Sequence, residues 1–194
     1  MIIGVLALQG AFAEHEHVLD KLGVSYRELR QKEDLDTIYD GFILPGGEST
    51  VQGKLLNDLD MFDPLKEQLE AGAAVLATCA GLILLASEIE NQSEAYFKTI
   101  PMTVRRNAYG RQLGSFYAED ELKGIGRIPM TFIRAPYVTR VSEDVEVLSR
   151  VNGNIVGVKY KNQLALSFHP ELDADFRIHK KFLNMAKEKG QSLR

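Results

Sequence analysis

This 194-residue chain has a single cysteine, no tryptophan, and no apolar run approaching the roughly twenty residues that a membrane-spanning helix needs. One cysteine excludes an intrachain disulfide framework, which favours a reducing compartment. The apolar stretch 1–8 lacks a basic leader and is too short for a signal peptide. We therefore expect a cytoplasmic protein without a membrane segment.

Positive charge is also in short supply: 23 Lys and Arg stand against 27 Asp and Glu, a net charge of −4. No basic block and no basic stripe interleaved with aromatic residues occurs, which argues against nucleic-acid binding. The length fits one domain. We assign residues 1–194 to it, because no linker, repeat or low-complexity segment divides them.

The first half of the chain alternates short apolar runs with helical patterns. Strands are predicted at 2–8, 24–29, 42–44 and 73–78, and helices at 12–22, 50–59, 63–71 and 80–88. This alternation implies a parallel sheet covered by helices on both faces, with ligands bound beyond the carboxyl ends of the strands. Gln9, Gly46-Gly47 and Cys79 each follow a strand, so we expect them to share one crevice.

The second half is dominated by strands. They are predicted at 102–106, 114–119, 130–133, 145–151, 154–160 and 163–168. Asn152-Gly153 is a strong hairpin signal, and Asp173 is expected to cap a last helix. The predicted fold is α/β: a mostly parallel central sheet flanked by helices, with an antiparallel β extension.

Three histidines lie in the predicted helices. His15 and His17 are two residues apart, so they do not share a helix face for metal binding, and solvent or partner contact is the favoured role. His179 is interpreted as a surface residue of the last helix. No metal site is predicted.

Cys79 lies where an apolar strand runs into an apolar helix. A helix N-terminus stabilises a thiolate, the reactive form of cysteine. Ninety positions later comes His169, with Glu171 two residues on. A cysteine, a base and a carboxylate that orients the base are the parts of a nucleophilic hydrolase. Taken alone, however, such a cysteine is more often a small buried hydrophobe and His-Pro-Glu more often a turn.

The stretch Pro45-Gly46-Gly47 changes this balance. Two glycines at a strand end let the backbone approach a ligand closely. The N–H groups of Gly46, Gly47 and Ala80 are therefore candidate oxyanion donors. A simple turn is the alternative. A phosphate-binding loop is a poor alternative, because this stretch lacks the spaced glycines and the Gly-Lys-Ser/Thr ending of such loops.

With these motifs combined, the chain resembles the class I (triad) glutamine amidotransferase family, which has a flavodoxin-like fold. It is similar in particular to the glutaminase subunits of pyridoxal 5′-phosphate synthases. Six blocks in family order carry the resemblance: Leu8-Gln9-Gly10, Pro45–Thr50, Thr78-Cys79-Ala80-Gly81, Arg106-Asn107 with Gly110-Arg111-Gln112, Phe132–Pro136 and Ser167–Glu171.

The resemblance implies a role for each matched residue. Cys79 would attack the carboxamide of L-glutamine, His169 would carry the proton to the leaving ammonia, and Glu171 would orient His169. The implied glutamine-binding residues are Gly47, Glu48, Ser49, Arg106, Ile133 and Arg134. An arginine suits the α-carboxylate of glutamine, but the sequence does not decide between Arg106 and Arg134.

The resemblance also implies a partner. Ammonia would pass to a synthase subunit, in a hetero-oligomer, that makes pyridoxal 5′-phosphate from ribose 5-phosphate and glyceraldehyde 3-phosphate. The glutaminase chain itself would carry no metal or organic cofactor. In one departure, Ala77 stands where the family commonly has glycine. The alternatives are a glutaminase subunit of another pathway, a free-standing γ-glutamyl hydrolase and a non-catalytic binding module.

Overall fold

The computed structural model describes residues 1–106 and 114–192, with side chains as far as 188. The strands are β1 (Ile3–Leu6), β2 (Tyr26–Leu29), β3 (Gly41–Leu44), β4 (Ala74–Thr78), β5 (Ala86–Ile89), β6 (Ile100–Arg105), β7 (Ser115–Leu122), β8 (Gly126–Ile133), β9 (Tyr137–Val141), β10 (Glu146–Val151), β11 (Asn154–Tyr160) and β12 (Gln163–Leu166). The helices are α1 (Phe12–Lys21), α2 (Ser49–Asp58), α3 (Phe62–Glu70), α4 (Ala80–Leu85) and α5 (Arg177–Ser192), and two short 3₁₀ turns cover Lys32–Asp36 and Pro170–Leu172.

Ten strands of the described residues form one sheet, in the order β2-β1-β3-β4-β12-β11-β9-β6-β5, with β10 added on β11. The pairs among β1, β2, β3, β4 and β12 are parallel, and so is the pair β5–β6. The pairs that join β6, β9, β10, β11 and β12 are antiparallel. The prediction of a mostly parallel sheet with an antiparallel extension is confirmed.

Both faces of the central strands are buried, as the continuous apolar runs predict. Along β4, Val75 and Ala77 belong to one apolar core, and Ala74 and Leu76 belong to the other. The first core packs against α2, α3 and α4, and the second packs against α1 and α5. The hairpin β7–β8 adds to the second core, where Phe116 stacks on Phe132 with ring centroids 4.4 Å apart.

Several element predictions were wrong in detail. The predicted helix 80–88 ends at Leu85, and Ala86–Ile89 forms a strand parallel to β6. A short, fully buried apolar run fits a helix or a strand equally well, so its periodicity could not place this boundary. Strand β9 was missed, although Val138 and Val141 carry β-branched side chains. Asp173 does not cap the last helix, which begins at Arg177.

The start of that helix is held by a different carboxylate. Asp175 Oδ1 accepts a hydrogen bond of 3.0 Å from the backbone N–H of Arg177. Among the described residues, no helix combines the length and apolar content required to cross a bilayer.

Candidate active site

Cys79 lies at a strained turn between β4 and α4. It has φ 47° and ψ −101°, a left-handed conformation that is rare for a residue with a side chain. Gly81 makes the turn possible, since a Cβ there would lie 2.0 Å from the carbonyl oxygen of Leu44. The turn lifts Cys79 out of the sheet at the N-terminus of α4. Its Sγ lies 3.8 Å from the carbonyl oxygen of Ile133.

His169 reaches Cys79 because β12 pairs with β4. The two strands are parallel, with Leu166 opposite Thr78, so residues that follow both strands emerge together. The backbone N–H of Cys79 donates to Leu166 O at 2.8 Å, and that of His169 donates to Thr131 O at 2.9 Å. His169 Nδ1 lies 2.7 Å from Glu171 Oε1, which leaves the other ring nitrogen for Cys79.

Gly46 packs closely against the side chains of both predicted reacting residues, Cys79 and His169. A Cβ on Gly46 would lie 2.2 Å from His169 Cε1 and 3.2 Å from Cys79 Cβ. The loop is fixed from the other side, where Ala11 N–H donates to Gly46 O at 2.9 Å. Gly10, with φ +105°, permits that approach, because its own Cβ would lie 1.8 Å from the same oxygen.

The charges of the buried triad favour a protonated imidazole. Burial opposes protonation of His169, but its hydrogen bonds with Cys79 and Glu171 outweigh burial and raise its pKa to about 10. Burial also acts to raise the pKa of Glu171, yet His15 and His169 lower it overall. Because burial lowers the pKa of His15, His169 is the charged partner of the carboxylate. An imidazolium beside a cysteine is the neighbour that a thiolate requires.

One predicted oxyanion donor is otherwise engaged. The backbone N–H of Gly46 donates to Thr78 Oγ1 at 3.0 Å, so in this structure it does not point to an oxyanion. The prediction for Gly46 is therefore corrected for this conformation. The N–H groups of Gly47 and Ala80 have no hydrogen-bond partner among the described residues. They remain candidate donors.

Glu48 and Arg106 meet beside the triad, where glutamine is predicted to bind. Arg106 Nη2 lies 2.5 Å from Glu48 Oε1, and the arginine side chain is 22% exposed. Glu48 is also the N-cap of α2, since its Oε1 accepts from Thr50 N–H at 3.1 Å. Its own N–H donates to Gln9 Oε1 at 2.7 Å. A carboxylate next to the Gly46-Gly47 loop is therefore paired with a guanidinium that follows β6.

The remaining predicted binding residues differ in exposure. Ser49 is buried, and its hydroxyl has no hydrogen-bond partner among the described residues. Ile133 is 41% exposed, and Arg134 is exposed with φ 44° at the end of β8. The family block around Asn107, Gly110, Arg111 and Gln112 lies outside the described residues.

A family profile decides the relationship: that of the SNO glutamine amidotransferase family matches residues 5–188. The chain belongs to this family. It is 63% identical, over 95% of its length and 92% of the relative, to the pyridoxal 5′-phosphate synthase subunit PdxT of Desulfitobacterium hafniense (strain DSM 10664 / DCB-2). It is also 57% identical to the same subunit of Streptococcus pneumoniae (strain ATCC 700669 / Spain 23F-1), over 98% of its own length and 100% of the relative.

Solved structures agree with this amidotransferase assignment. A crystal structure of a glutamine amidotransferase has a TM-score of 0.90 at 43% identity, covering 96% of this chain and 100% of its own. The structure of PurLQS from Thermotoga maritima has a TM-score of 0.66 at 17% identity, covering 94% of this chain and 97% of the matched one. The second likeness concerns the fold alone.

Ala77, the departure from the usual glycine, sits within a regular strand of this amidotransferase. It is fully buried in β4, with Leu44 and Ala165 as its partners on the two neighbouring strands. It is not among the residues with positive φ. Its methyl group is therefore accommodated without a strained backbone.

The sequence interpretation missed a group of buried polar residues beneath the triad. His15 and His179, expected at the surface, are both 0% exposed, which corrects that expectation. The two rings lie against each other because α1 and α5 cover the same face of the sheet. Thr78 is also fully buried. His17 is exposed, as expected.

Proposed function

We propose that this chain is a glutaminase subunit that hydrolyses L-glutamine to L-glutamate and ammonia with the triad Cys79, His169 and Glu171. The observation that carries the proposal is the buried arrangement around Gly46, where a cysteine on a strained strand-to-helix turn faces an imidazole held by a carboxylate. Family membership supports the same reaction. The reaction would take place within a single domain, residues 1–194.

The reaction follows from the charges of the triad. The Cys79 thiolate attacks the side-chain amide carbon of glutamine, and the amide oxygen takes the negative charge. His169 donates its proton to the departing nitrogen, so ammonia leaves and a γ-glutamyl thioester remains. Neutral His169 then takes a proton from water, which attacks the thioester. Glutamate leaves, the thiolate returns, and Glu171 keeps the ring oriented throughout.

The substrate would be held by the loop that carries Gly47, Glu48 and Ser49, with Arg106, Ile133 and Arg134 completing the site. The Glu48–Arg106 pair offers one charge of each sign for the α-ammonium and α-carboxylate of glutamine. The buried Ser49 hydroxyl, without a partner among the described residues, is a further polar atom available to the substrate.

The partner would be the synthase subunit of pyridoxal 5′-phosphate synthase, in a hetero-oligomer. The names of the relatives from Desulfitobacterium and Streptococcus support this assignment. Ammonia would be channelled to that subunit, which makes pyridoxal 5′-phosphate from ribose 5-phosphate and glyceraldehyde 3-phosphate. A cytoplasmic location, and the lack of a metal or organic cofactor in this subunit, remain predictions.

The isolated subunit would be in a resting state. With the Gly46 N–H bonded to Thr78 Oγ1, one of the three predicted oxyanion donors is withheld. Loss of one such donor costs roughly 10²–10³ in kcat. Docking of the synthase subunit would reorient the Pro45-Gly46 peptide, which carries this N–H, and supply the donor, which couples ammonia release to the presence of an acceptor.

The test is glutamate release by the purified chain, with and without the synthase subunit, with Cys79→Ala as the blank. Activity that increases with the synthase subunit is expected. No release in either state would contradict the enzyme assignment, whereas equal release in both would contradict the coupling alone. Faster cleavage of a γ-glutamyl peptide than of glutamine would instead favour a free-standing γ-glutamyl hydrolase.

A further inference from the structure

A chain of buried polar side chains connects the triad with two helices that carry no predicted function. His15 Nε2 lies 3.4 Å from Glu171 Oε2 and 3.2 Å from Thr78 Oγ1. His15 Nδ1 lies 3.0 Å from His179 Nε2. The two histidines and Thr78 are 0% exposed, and Glu171 is 6% exposed. Polar groups buried this deeply are costly unless each finds a partner.

A metal site does not explain this cluster. Among the residues that the structure describes, no three histidine, cysteine or carboxylate side chains are arranged to hold a metal ion. The contacts are instead those of imidazoles with one another, with a hydroxyl and with a carboxylate. The distances between the nitrogen and oxygen atoms in these contacts, 3.0 to 3.4 Å, are short enough for hydrogen bonding or for a close electrostatic contact.

The positions of the hydrogens follow from the charges. Burial lowers the pKa of His15 and lowers that of His179 to about 3, so both rings are neutral and each carries one N–H. The second carboxylate oxygen, Glu171 Oε2, has no well-aligned hydrogen bond among the described residues, and His15 Nε2 faces it. An N–H at Nε2 stabilises that oxygen, whereas a lone pair there would repel it.

The tautomer of His15 then fixes that of His179. With its proton on Nε2, His15 presents an acceptor at Nδ1, so His179 Nε2–H must donate to it. His179 Nδ1 is left without a proton, which agrees with its lack of a partner among the described residues. The opposite assignment would bury an unpaired N–H and point a lone pair at a carboxylate, both of which are unfavourable.

Thr78 extends the chain to the glycine loop. Its Oγ1 accepts from Gly46 N–H at 3.0 Å and faces His15 Nε2. The two lone pairs of a hydroxyl oxygen accommodate both donors. His15 therefore contacts the orienting carboxylate of the triad on one side and, through Thr78, the loop of the predicted oxyanion donors on the other.

We propose that His15 is a positioning residue for the glutaminase reaction, with His179 holding it in the Nε2–H tautomer. This inference rests on the proposed function. His15 fixes the oxygen of Glu171 that His169 does not use, and thereby sets the orientation of the imidazole at Cys79. It also stabilises the Thr78 hydroxyl that holds Gly46 in its resting conformation.

The tautomers can be tested without any activity. Histidine-labelled protein is examined by long-range ¹H–¹⁵N NMR between pH 6 and 8, with signals assigned through His15→Gln and His179→Gln. We expect one bare and one protonated nitrogen in each ring, with the proton on Nε2. A doubly protonated His15, or one with its proton on Nδ1, would overturn the proposal.

The kinetic test uses His15→Leu, His15→Gln and, as the matched control, His17→Leu on the exposed side of α1. All are assayed at saturating synthase subunit, so weaker docking does not lower kcat. For His15→Leu we expect kcat to fall about 10- to 100-fold, as when the outer partner of a functional group is removed. Its KM for glutamine should stay within about two-fold, because no ground-state contact is lost.

Rescue separates positioning from simple packing. The amide N–H of His15→Gln can take the place of Nε2–H, and its kcat should return to within about three-fold of wild type, since a neutral donor is restored. His17→Leu should match wild type. Unchanged kcat in His15→Leu, or equal changes in kcat and KM without rescue, would overturn the proposal. If His15→Leu does not fold, the NMR result decides. An inactive wild-type complex would contradict the proposed function and leave the tautomer assignment standing.

Discussion

Replacing Gly46 by alanine places a methyl group in the space occupied by the imidazole of His169. The added Cβ would lie 2.2 Å from His169 Cε1, whereas ordinary contact begins at 3.4 Å, so the ring or the loop must move by about 1.2 Å. The ring is not free to yield, since Nδ1 is held by Glu171 at 2.7 Å. The loop is not free to move either, because the carbonyl oxygen of Gly46 accepts a hydrogen bond from the backbone N–H of Ala11.

The expected result is a loss of turnover greater than the loss of stability. A misplacement of about 1 Å can lower a rate by about 10²-fold, so kcat of Gly46→Ala should fall at least that far. Overpacking in a core typically costs about 1–3 kcal/mol, which should lower the thermal midpoint by several degrees without preventing folding. Glutamate release at saturating glutamine and synthase subunit, followed with glutamate dehydrogenase, measures the first effect.

Gly114→Ala is the matched control, because a Cβ there meets no atom of the described residues within 4 Å. It should retain wild-type kcat. A folded Gly46→Ala protein with kcat within about three-fold of wild type, a difference below 1 kcal/mol in barrier, would refute the reasoning, because the imidazole could then not stand where the structure places it.

Three further predictions address the nucleophile, the substrate and the buried histidines. Cys79→Ala should abolish glutamate release yet still bind glutamine, and a calorimetric titration without binding would contradict this. Glu48→Gln breaks the ion pair with Arg106, so KM for glutamine should rise about ten-fold or more while the thermal midpoint changes little, since exposed ion pairs contribute at most about 1 kcal/mol to stability. An unchanged KM would count against the predicted substrate site. The pKa of His179 is lowered from 6.5 to about 3, so its contribution to stability is full above pH 6.5 and is lost as pH falls. At 1.36 kcal/mol per pH unit, urea denaturation should show the stability difference between wild type and His179→Leu changing by about 2 kcal/mol from pH 8 to pH 5, and a constant difference would contradict the buried neutral ring.

The sequence predicted the triad because its members carry local signals. Cys79 marks a strand-to-helix junction, and His169 with Glu171 follows a strand, so the parallel pairing of β4 and β12 brings them together. The Gly46-Gly47 loop was found for the same reason. The rule that carboxyl ends of parallel strands share one edge was enough to bring Cys79 and this loop together. His169 and Glu171 were joined to them through the resemblance to the amidotransferase family.

The parts that were missed depend on contacts remote along the chain. His15 is a histidine on an amphipathic helix, and nothing nearby in sequence reveals a partner 164 residues away. The direction of the Gly46 N–H is set by its hydrogen bond to the Thr78 hydroxyl. The orientation of a peptide group cannot be inferred from the types of the residues that it joins. The end of α4 was misplaced because burial on all sides removes the amphipathic pattern that distinguishes helix from strand.

The position of β12 has a consequence for the timing of synthesis. The strand that delivers His169 is the last of the sheet to be made, yet it lies in the middle, between β4 and β11. A growing polypeptide on the ribosome therefore carries the proposed sulfur nucleophile long before the proposed base is made. If the proposed triad is correct, a truncated translation product that stops short of this insertion cannot hydrolyse glutamine.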